Sequence, residues 1–191
     1  MAFYESVAQR GLASPYDALI VEITGGTWGT VLLVKAIICQ ESAWNPEAVR
    51  YEPRLADASR GLMQILFGTA RWMGYPGEPD GLYDPRANIT YGVAYLSYLS
   101  TRYPGRLPDI ISAYNGGHPL RLSGGGYANQ DYVDSVLTYY VWYQNNEPPV
   151  PGTVPDLPPD VIPPPVESTG AGGGGGTYPV TDPEAPERGI T

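Results

Sequence analysis

The sequence has little of what metal and disulfide chemistry require, because it contains one cysteine and one histidine. A single cysteine excludes an intramolecular disulfide and leaves the redox compartment undetermined. One Cys and one His also argue against a transition-metal site, so we expect neither a metal nor a cofactor. Cys39 lies in an apolar run, and its only possible base, His118, lies in a predicted loop. We therefore interpret Cys39 as a small buried hydrophobe rather than a nucleophile.

Basic residues are also scarce: eleven Lys and Arg stand against twenty acids, which gives a formal net charge of -9. Residues 147–191 hold seven of these acids and one Arg. Without a basic stripe to neutralise phosphates, non-specific nucleic-acid binding is excluded, and the acidity gives no attraction to an anionic membrane. No stretch is apolar enough to span a bilayer, and residues 1–10 lack the apolar core of a signal peptide.

Phenylalanine is rare as well, with two Phe against sixteen Tyr and four Trp. Tyr and Trp combine an apolar body with a polar group, which suits sugar binding, although we expect most of them simply to pack. The composition changes near the C-terminus, where residues 145–191 contain twelve Pro and eight Gly. Such a segment cannot bury enough apolar area to fold alone. We predict a folded domain over residues 1–145 and an acidic linker or docking tail over 146–191.

A helix predicted over residues 30–42 is the centre of the chain. Its apolar residues recur at helical spacing, and Asn45-Pro46 ends it. Glu41 lies in the last turn, where the helix dipole and apolar surroundings both raise a carboxyl pKa. A raised pKa is what a general acid near neutrality needs. From this helix alone, however, a solvated glutamate at a frayed helix end is a better interpretation than a general acid.

The rest of the domain is predicted to be mainly helical. Residues 3–23 form one or two short helices, Asp84-Pro85 starts a long helix, and Pro108-Asp109 starts a shorter one that Gly116-Gly117 ends. Asn129 caps a last helix. The apolar stripe of that helix is predicted to comprise Val133, Val136, Leu137, Tyr140 and Val141.

Three segments between these helices are predicted to be irregular. Residues 47–60 are polar and are predicted to form a loop, with Glu47, Glu52 and Asp57 solvated. Residues 61–66 are short and apolar, and strand or turn remains open. Residues 120–128 form a Gly-rich loop.

Three stretches after Glu41-Ser42 place polar groups beside apolar residues. Residues 59–64 read Ser-Arg-Gly-Leu-Met-Gln, residues 113–117 read Ala-Tyr-Asn-Gly-Gly, and residues 132–133 read Tyr-Val. In this order, the motifs resemble the soluble lytic transglycosylase family over roughly residues 31–143. The resemblance implies a mainly α, goose-type lysozyme-like fold with a small irregular or β-hairpin element near residues 61–66. It also implies an enzyme that cleaves peptidoglycan.

The same resemblance assigns roles to individual residues. Glu41 would protonate the glycosidic oxygen and then act as the base, while the N-acetyl group of the substrate stabilises the cation. The C6 hydroxyl of the same sugar would attack C1 and leave a 1,6-anhydromuramic end. The residues implied in positioning or binding the substrate are Ser42, Ser59, Gly61, Met63, Gln64, Tyr114, Asn115 and Tyr132.

The expected function is therefore that of a peptidoglycan lytic transglycosylase acting on glycan strands. Two alternatives stay open: a muramidase-type hydrolase such as an endolysin, and a catalytically weak glycan-binding structural protein of a virion. A wall-degrading enzyme without a signal peptide needs another route to the wall. We therefore expect a phage virion protein that acts at the host cell wall, with the tail docked on virion or tail proteins.

Overall fold

A computed structural model describes residues 14–147 of the chain. This part is mainly helical, with one small antiparallel sheet and a 3-10 helix at Pro79–Tyr83. The predicted tail from residue 148 and the predicted helix before residue 14 lie outside the described residues. The helices are α1 (Asp17–Thr24), α2 (Trp28–Ser42), α3 (Phe67–Trp72), α4 (Pro85–Arg102), α5 (Leu107–Gly116) and α6 (Gln130–Asn146). The strands are β1 (Val49–Glu52), β2 (Asp57–Arg60) and β3 (Ile65–Leu66).

Helix α2 lies at the centre of the core, as its apolar pattern predicts. Residues 31–39 are all buried, including Cys39, and the helix packs mainly against α6. The structure thus confirms that Cys39 is buried. Thr27 occupies the N-cap position, although its side chain makes no capping hydrogen bond. Helix α2 therefore anchors the backbone of Glu41 on a fully buried segment of the described core.

Helix α4 begins where the sequence predicts it. The side chain of Asp84 accepts a hydrogen bond from the backbone amide of Ala87 at 2.8 Å, and Pro85 is the first helical residue. This cap satisfies one of the amide groups that a helix leaves unpaired at its start. The opposite end stops before Pro104, which cannot continue a helix.

The prediction of a polar loop over residues 47–60 is wrong, because most of this segment forms the hairpin of β1 and β2. β3 pairs with β2, so the sheet order is β1-β2-β3. Glu52 is 6% exposed and forms an ion pair with Arg50, so it is not solvated. Asp57 accepts a hydrogen bond from the amide of Gly68 in the first turn of α3. The acidic residues of this segment favour a solvated loop when only the sequence is considered. In the structure, Glu52 is paired within the same segment and Asp57 with the start of α3.

The predicted apolar stripe of α6 is partly wrong. Val133 and Val136 are buried, but Val141 is 48% exposed, and the remaining buried positions are Tyr139 and Tyr143. Tyrosines can bury their rings and still satisfy the hydroxyl group, so the buried face follows them rather than the aliphatic residues. Leu137 and Tyr140 are half-buried at the edges of this face.

Lys35 is a buried charge in the middle of α2. Its ammonium lies 3.0 Å from Asp17 of α1 and forms an ion pair with Glu147, which directly follows α6. It also lies 5.1 Å from the ring centre of Tyr143. Burial raises the pKa of Glu147, and Lys35 only partly opposes this shift. Sequence analysis missed this cluster, although a lysine inside an apolar run is rarely buried unless it is paired.

The Gly-rich segment over residues 120–128 forms a small hairpin. Arg121 and Tyr127 form a β-bridge, and both side chains bind the buried carboxylate of Asp109 in α5. Burial raises the pKa of Asp109, but the hydrogen bonds from Arg121 and Tyr127 outweigh it and hold the pKa below its ordinary value. The base of the hairpin is therefore anchored to α5. Within the described residues, no helix is both long and apolar enough to cross a membrane.

Candidate active site

Glu41 lies at the C-terminal end of α2 and is half-buried. The phenol of Tyr132, in the first turn of α6, donates a hydrogen bond to Oε1 of Glu41 at 2.7 Å. The two residues are 91 positions apart in the chain, so the tight packing of α2 against α6 creates this contact. The candidate acid is thus held by a specific polar partner. Its predicted raised pKa stays a prediction.

The chain after Glu41 turns away through an uncommon backbone conformation. Ser42 donates its hydroxyl to the carbonyl of Ile38 at 3.2 Å, so it closes the last turn of α2, and a contact of Ser42 with the substrate stays a prediction. Ala43 and Trp44 then adopt left-handed conformations, with φ of 49° and 68°. Such residues each cost about 1 to 3 kcal/mol and need support from their surroundings. The Trp44 ring stacks on Tyr16 and provides part of that support.

Residues 61–64 form a buried turn beside the sheet. Gly61 has φ of 70°, and a Cβ atom there would lie 2.4 Å from Nδ2 of Asn88. Gln64 is also left-handed, with φ of 46°, and its Nε2 donates to the carbonyls of Ala48 and Gly61. The glycine is required by both its φ and its close neighbours. A contact of Gly61, Gln64 or Met63 with a sugar stays a prediction.

Asn88 supports the turn at residues 61–64, and its role is not evident from the sequence. Its Oδ1 accepts from the amide of Met63 at 2.7 Å, and its Nδ2 donates to the carbonyls of Arg60 and Leu82 at 2.7 and 2.8 Å. One fully buried carboxamide therefore fixes both sides of the turn at residues 61–64. The sequence signal for Asn88 is its position beside the apolar Ile89, on the core-facing side of α4.

Tyr114 and Asn115 follow each other near the end of α5 but face different partners. The Tyr114 hydroxyl is buried and donates to the carbonyl of Met63 at 2.9 Å, so it supports the turn at residues 61–64. Asn115 is half-buried and accepts from Nδ2 of Asn129 at 3.0 Å. Asn129 is the N-cap residue of α6, as predicted, but its side chain makes no capping bond because it is engaged by α5.

Ser59 lies in β2, opposite Arg50 and Leu66, and is fully buried. Its hydroxyl has no hydrogen-bond partner in the described part of the chain. A substrate contact of Ser59 stays a prediction. Within residues 14–147, no group of three or more His, Cys, Asp or Glu side chains is arranged to hold a metal ion.

Residues 29–127 match the Transglycosylase SLT domain family. The chain belongs to this family. The SLT domain match includes Glu41, the turn at residues 61–64 and the motif at residues 113–117, whereas Tyr132 lies beyond it. The assignment of Tyr132 therefore depends on its hydrogen bond to Glu41.

Several known proteins resemble this SLT domain chain. A Haemophilus influenzae protein is 36% identical over 132 residues, covering 57% of this chain and 21% of its own length. The soluble lytic murein transglycosylase of Escherichia coli K12 is 34% identical over 108 residues, covering 53% of this chain and 16% of its own. This chain thus spans about a fifth of the length of these curated relatives or less.

A solved structure supports the fold assignment. The crystal structure of the 70-kDa soluble lytic transglycosylase from Escherichia coli superposes with a TM-score of 0.56 at 28% sequence identity. The match covers 68% of this chain and 24% of that chain. The prediction of a mainly α, lysozyme-like fold of the lytic transglycosylase type is confirmed, with a three-stranded sheet as its small β element.

Proposed function

We propose that the protein is a peptidoglycan lytic transglycosylase in which Glu41 is both the acid and the base. The observation that carries this proposal is the hydrogen bond from Tyr132 to Glu41, within a chain of the SLT domain family. The phenol holds one carboxyl oxygen in place, so proton transfer would start from a defined geometry. The name of the Escherichia coli relative, a soluble lytic murein transglycosylase, supports the substrate class.

The proposed reaction cleaves the β-1,4 bond between N-acetylmuramic acid and N-acetylglucosamine without consuming water. Glu41 gives its proton to the bridging oxygen as the bond from that oxygen to C1 breaks. The C6 hydroxyl of the muramic acid then attacks C1, and its proton returns to Glu41. The products are a 1,6-anhydromuramic end and a free C4 hydroxyl on the leaving sugar.

This one-carboxylate scheme agrees with how three acids after α2 are used. Glu52 is paired with Arg50, Asp57 accepts from the amide of Gly68, and Asp109 holds the hairpin at residues 121–127. Hydrolases of the common two-carboxylate type need a second carboxyl group beside the scissile bond. Structural engagement of these acids favours a mechanism in which Glu41 acts alone.

Digestion of purified peptidoglycan should yield muropeptides with 1,6-anhydromuramic ends and no new reducing ends. The expected result follows because the internal C6 hydroxyl takes the place of water as the nucleophile. Mass spectrometry separates the two outcomes, since each anhydro product is lighter by one water molecule. Reducing muramic ends as the main product would instead identify a muramidase-type hydrolase.

Action from a phage particle at the host cell wall is part of the same proposal. It is supported by the composition of residues 146–191, an acidic Pro- and Gly-rich segment suited to docking on another protein. Deleting residues 148–191 should leave the rate of wall cleavage nearly unchanged and abolish co-purification with phage particles. Particles that retain the truncated protein, or that never contain the full-length one, would contradict the docking role.

A further inference from the structure

Three polar side chains connect the end of α5 to the start of α6. The amide of Leu120 donates to Oγ of Ser112 at 3.0 Å, and Ser112 Oγ lies 2.7 Å from Oδ1 of Asn129. Nδ2 of Asn129 lies 3.1 Å from the carbonyl of Ser112 and 3.0 Å from Oδ1 of Asn115. Ser112 is fully buried and Asn129 is 9% exposed, so water competes little with these bonds.

The chemistry of the neighbours fixes the orientation of both amides. A backbone carbonyl can only accept, so the Asn129 atom facing the Ser112 carbonyl must be the nitrogen. The other Asn129 atom is then the oxygen, and it accepts the Ser112 hydroxyl proton, because that hydroxyl already accepts from Leu120. By the same logic, the Asn115 atom facing the Asn129 nitrogen must be its oxygen. The Asn115 nitrogen is left pointing away from this network.

We infer that Asn129, oriented by Ser112, is a positioning residue that makes Asn115 a hydrogen-bond donor to the substrate. In the described part of the chain, the side chain of Asn115 is held through its oxygen by Asn129, and this residue is half-buried rather than enclosed. A donor at this position fits an acceptor such as the carbonyl oxygen of an N-acetyl group. This inference rests on the proposed function, which supplies the N-acetylated glycan.

The position of Asn129 links this donor to the candidate acid. The backbone carbonyl of Asn129 accepts from the amides of Tyr132 and Val133 and so starts α6. Its side chain holds Asn115, while Tyr132, three residues later, holds Glu41. The side chain of Asn129 thus orients Asn115, while its backbone carbonyl, which any residue would supply, starts the helix that carries the partner of Glu41.

Side-chain amide exchange measured by nitrogen-15 NMR tests the orientation without any substrate. The Asn129 side-chain protons should be protected from exchange with solvent, since Nδ2 donates to two protein acceptors. The Asn115 side-chain protons should exchange faster. Protected Asn115 protons together with fast-exchanging Asn129 protons would overturn the assigned orientation.

A double-mutant cycle then tests whether Asn129 acts through Asn115. In the Glu41→Gln background, Asn129→Ala should weaken binding of an N-acetylglucosamine oligomer by roughly 5- to 150-fold, the range for losing a buried polar partner. Binding of the matching de-N-acetylated glucosamine oligomer should change little. In an Asn115→Ala background, Asn129→Ala should cause no further loss. Gln144→Ala, an exposed change on the same helix, is the matched control and should leave both affinities unchanged.

The outcomes separate this inference from the proposed function. Equal weakening of both oligomers, or an Asn129→Ala effect that persists in the Asn115→Ala background, would mean a purely structural role and would overturn the inference. If the unmodified protein binds neither oligomer and does not cleave the wall, while the exchange pattern is as expected, the proposed function fails and the orientation of Asn115 by Asn129 stands.

Discussion

Replacing Glu41 with Gln is expected to lower the rate of peptidoglycan cleavage by roughly a hundred- to ten-thousand-fold, the usual contribution of a general acid or base. The amide keeps the shape of the carboxyl group and can still accept a hydrogen bond from Tyr132, but it cannot give or take the proton. Release of soluble muropeptides from purified walls measures the rate. Circular dichroism and thermal unfolding should show an intact fold, because Glu41 is only half-buried.

Glu47→Gln is the matched control for this experiment. Glu47 is exposed in the segment that follows α2. Its backbone amide donates to Oδ1 of Asn45, so the turn at residues 45–47 does not need the carboxylate of Glu47. The control removes the same charge a few residues away and should retain full activity. A Glu41→Gln protein that cleaves walls at a near wild-type rate would remove Glu41 from the mechanism.

Gly61→Ala is expected to be the most destabilising single change near the site. The new Cβ would lie 2.4 Å from Nδ2 of Asn88 and 2.5 Å from the carbonyl of Leu82, and φ of 70° is itself unfavourable for alanine. Left-handed strain and overpacking together should lower the free energy of unfolding by roughly 2 to 5 kcal/mol. The thermal midpoint should fall by roughly 5 to 15 °C. Activity should fall too, because a shift of the Gly61 backbone would displace the side chain of Gln64, which donates a hydrogen bond to the Gly61 carbonyl.

Gly74→Ala separates the two causes of this effect. Gly74 is also left-handed, with φ of 94°, but a Cβ atom there would meet nothing within 4 Å. The control should therefore lose only about 1 to 2 kcal/mol from backbone strain. If both variants lost the same free energy of unfolding, the close approach of Asn88 to Gly61 would contribute nothing to the destabilisation. Differential scanning calorimetry on both proteins makes the comparison.

The features that sequence analysis predicted correctly are local ones. Asp84-Pro85 marks the start of α4 because the capping oxygen and the preset φ act within one turn. The burial of α2 follows from its own apolar spacing. The hydrogen bond between Glu41 and Tyr132 is not local, since it joins residues 91 positions apart. Motif order indicates both residues, and their roles stay predictions.

The features that it missed depend on residues far apart in the chain. Asn88 satisfies the amide of Met63 across 25 positions, and Lys35 binds Glu147 across 112. A buried polar group is stable only with its partners in place, and the sequence around one residue does not show where the partners lie. The hairpin of β1 and β2 is local and was missed for a different reason, because Glu52 is buried while Val49 and Tyr51 on the same strand are exposed. Apolar residues are usually buried and charged residues exposed, so this strand has the opposite pattern.

Digestion of purified peptidoglycan in water enriched with heavy oxygen tests the central claim most directly. If Glu41 directs attack by the internal C6 hydroxyl, the wild-type protein should release muropeptides whose new ends carry no heavy oxygen, and Glu41→Gln should release almost none. Heavy oxygen at C1 of the new muramic ends would show that water is the nucleophile and would contradict the transglycosylase mechanism.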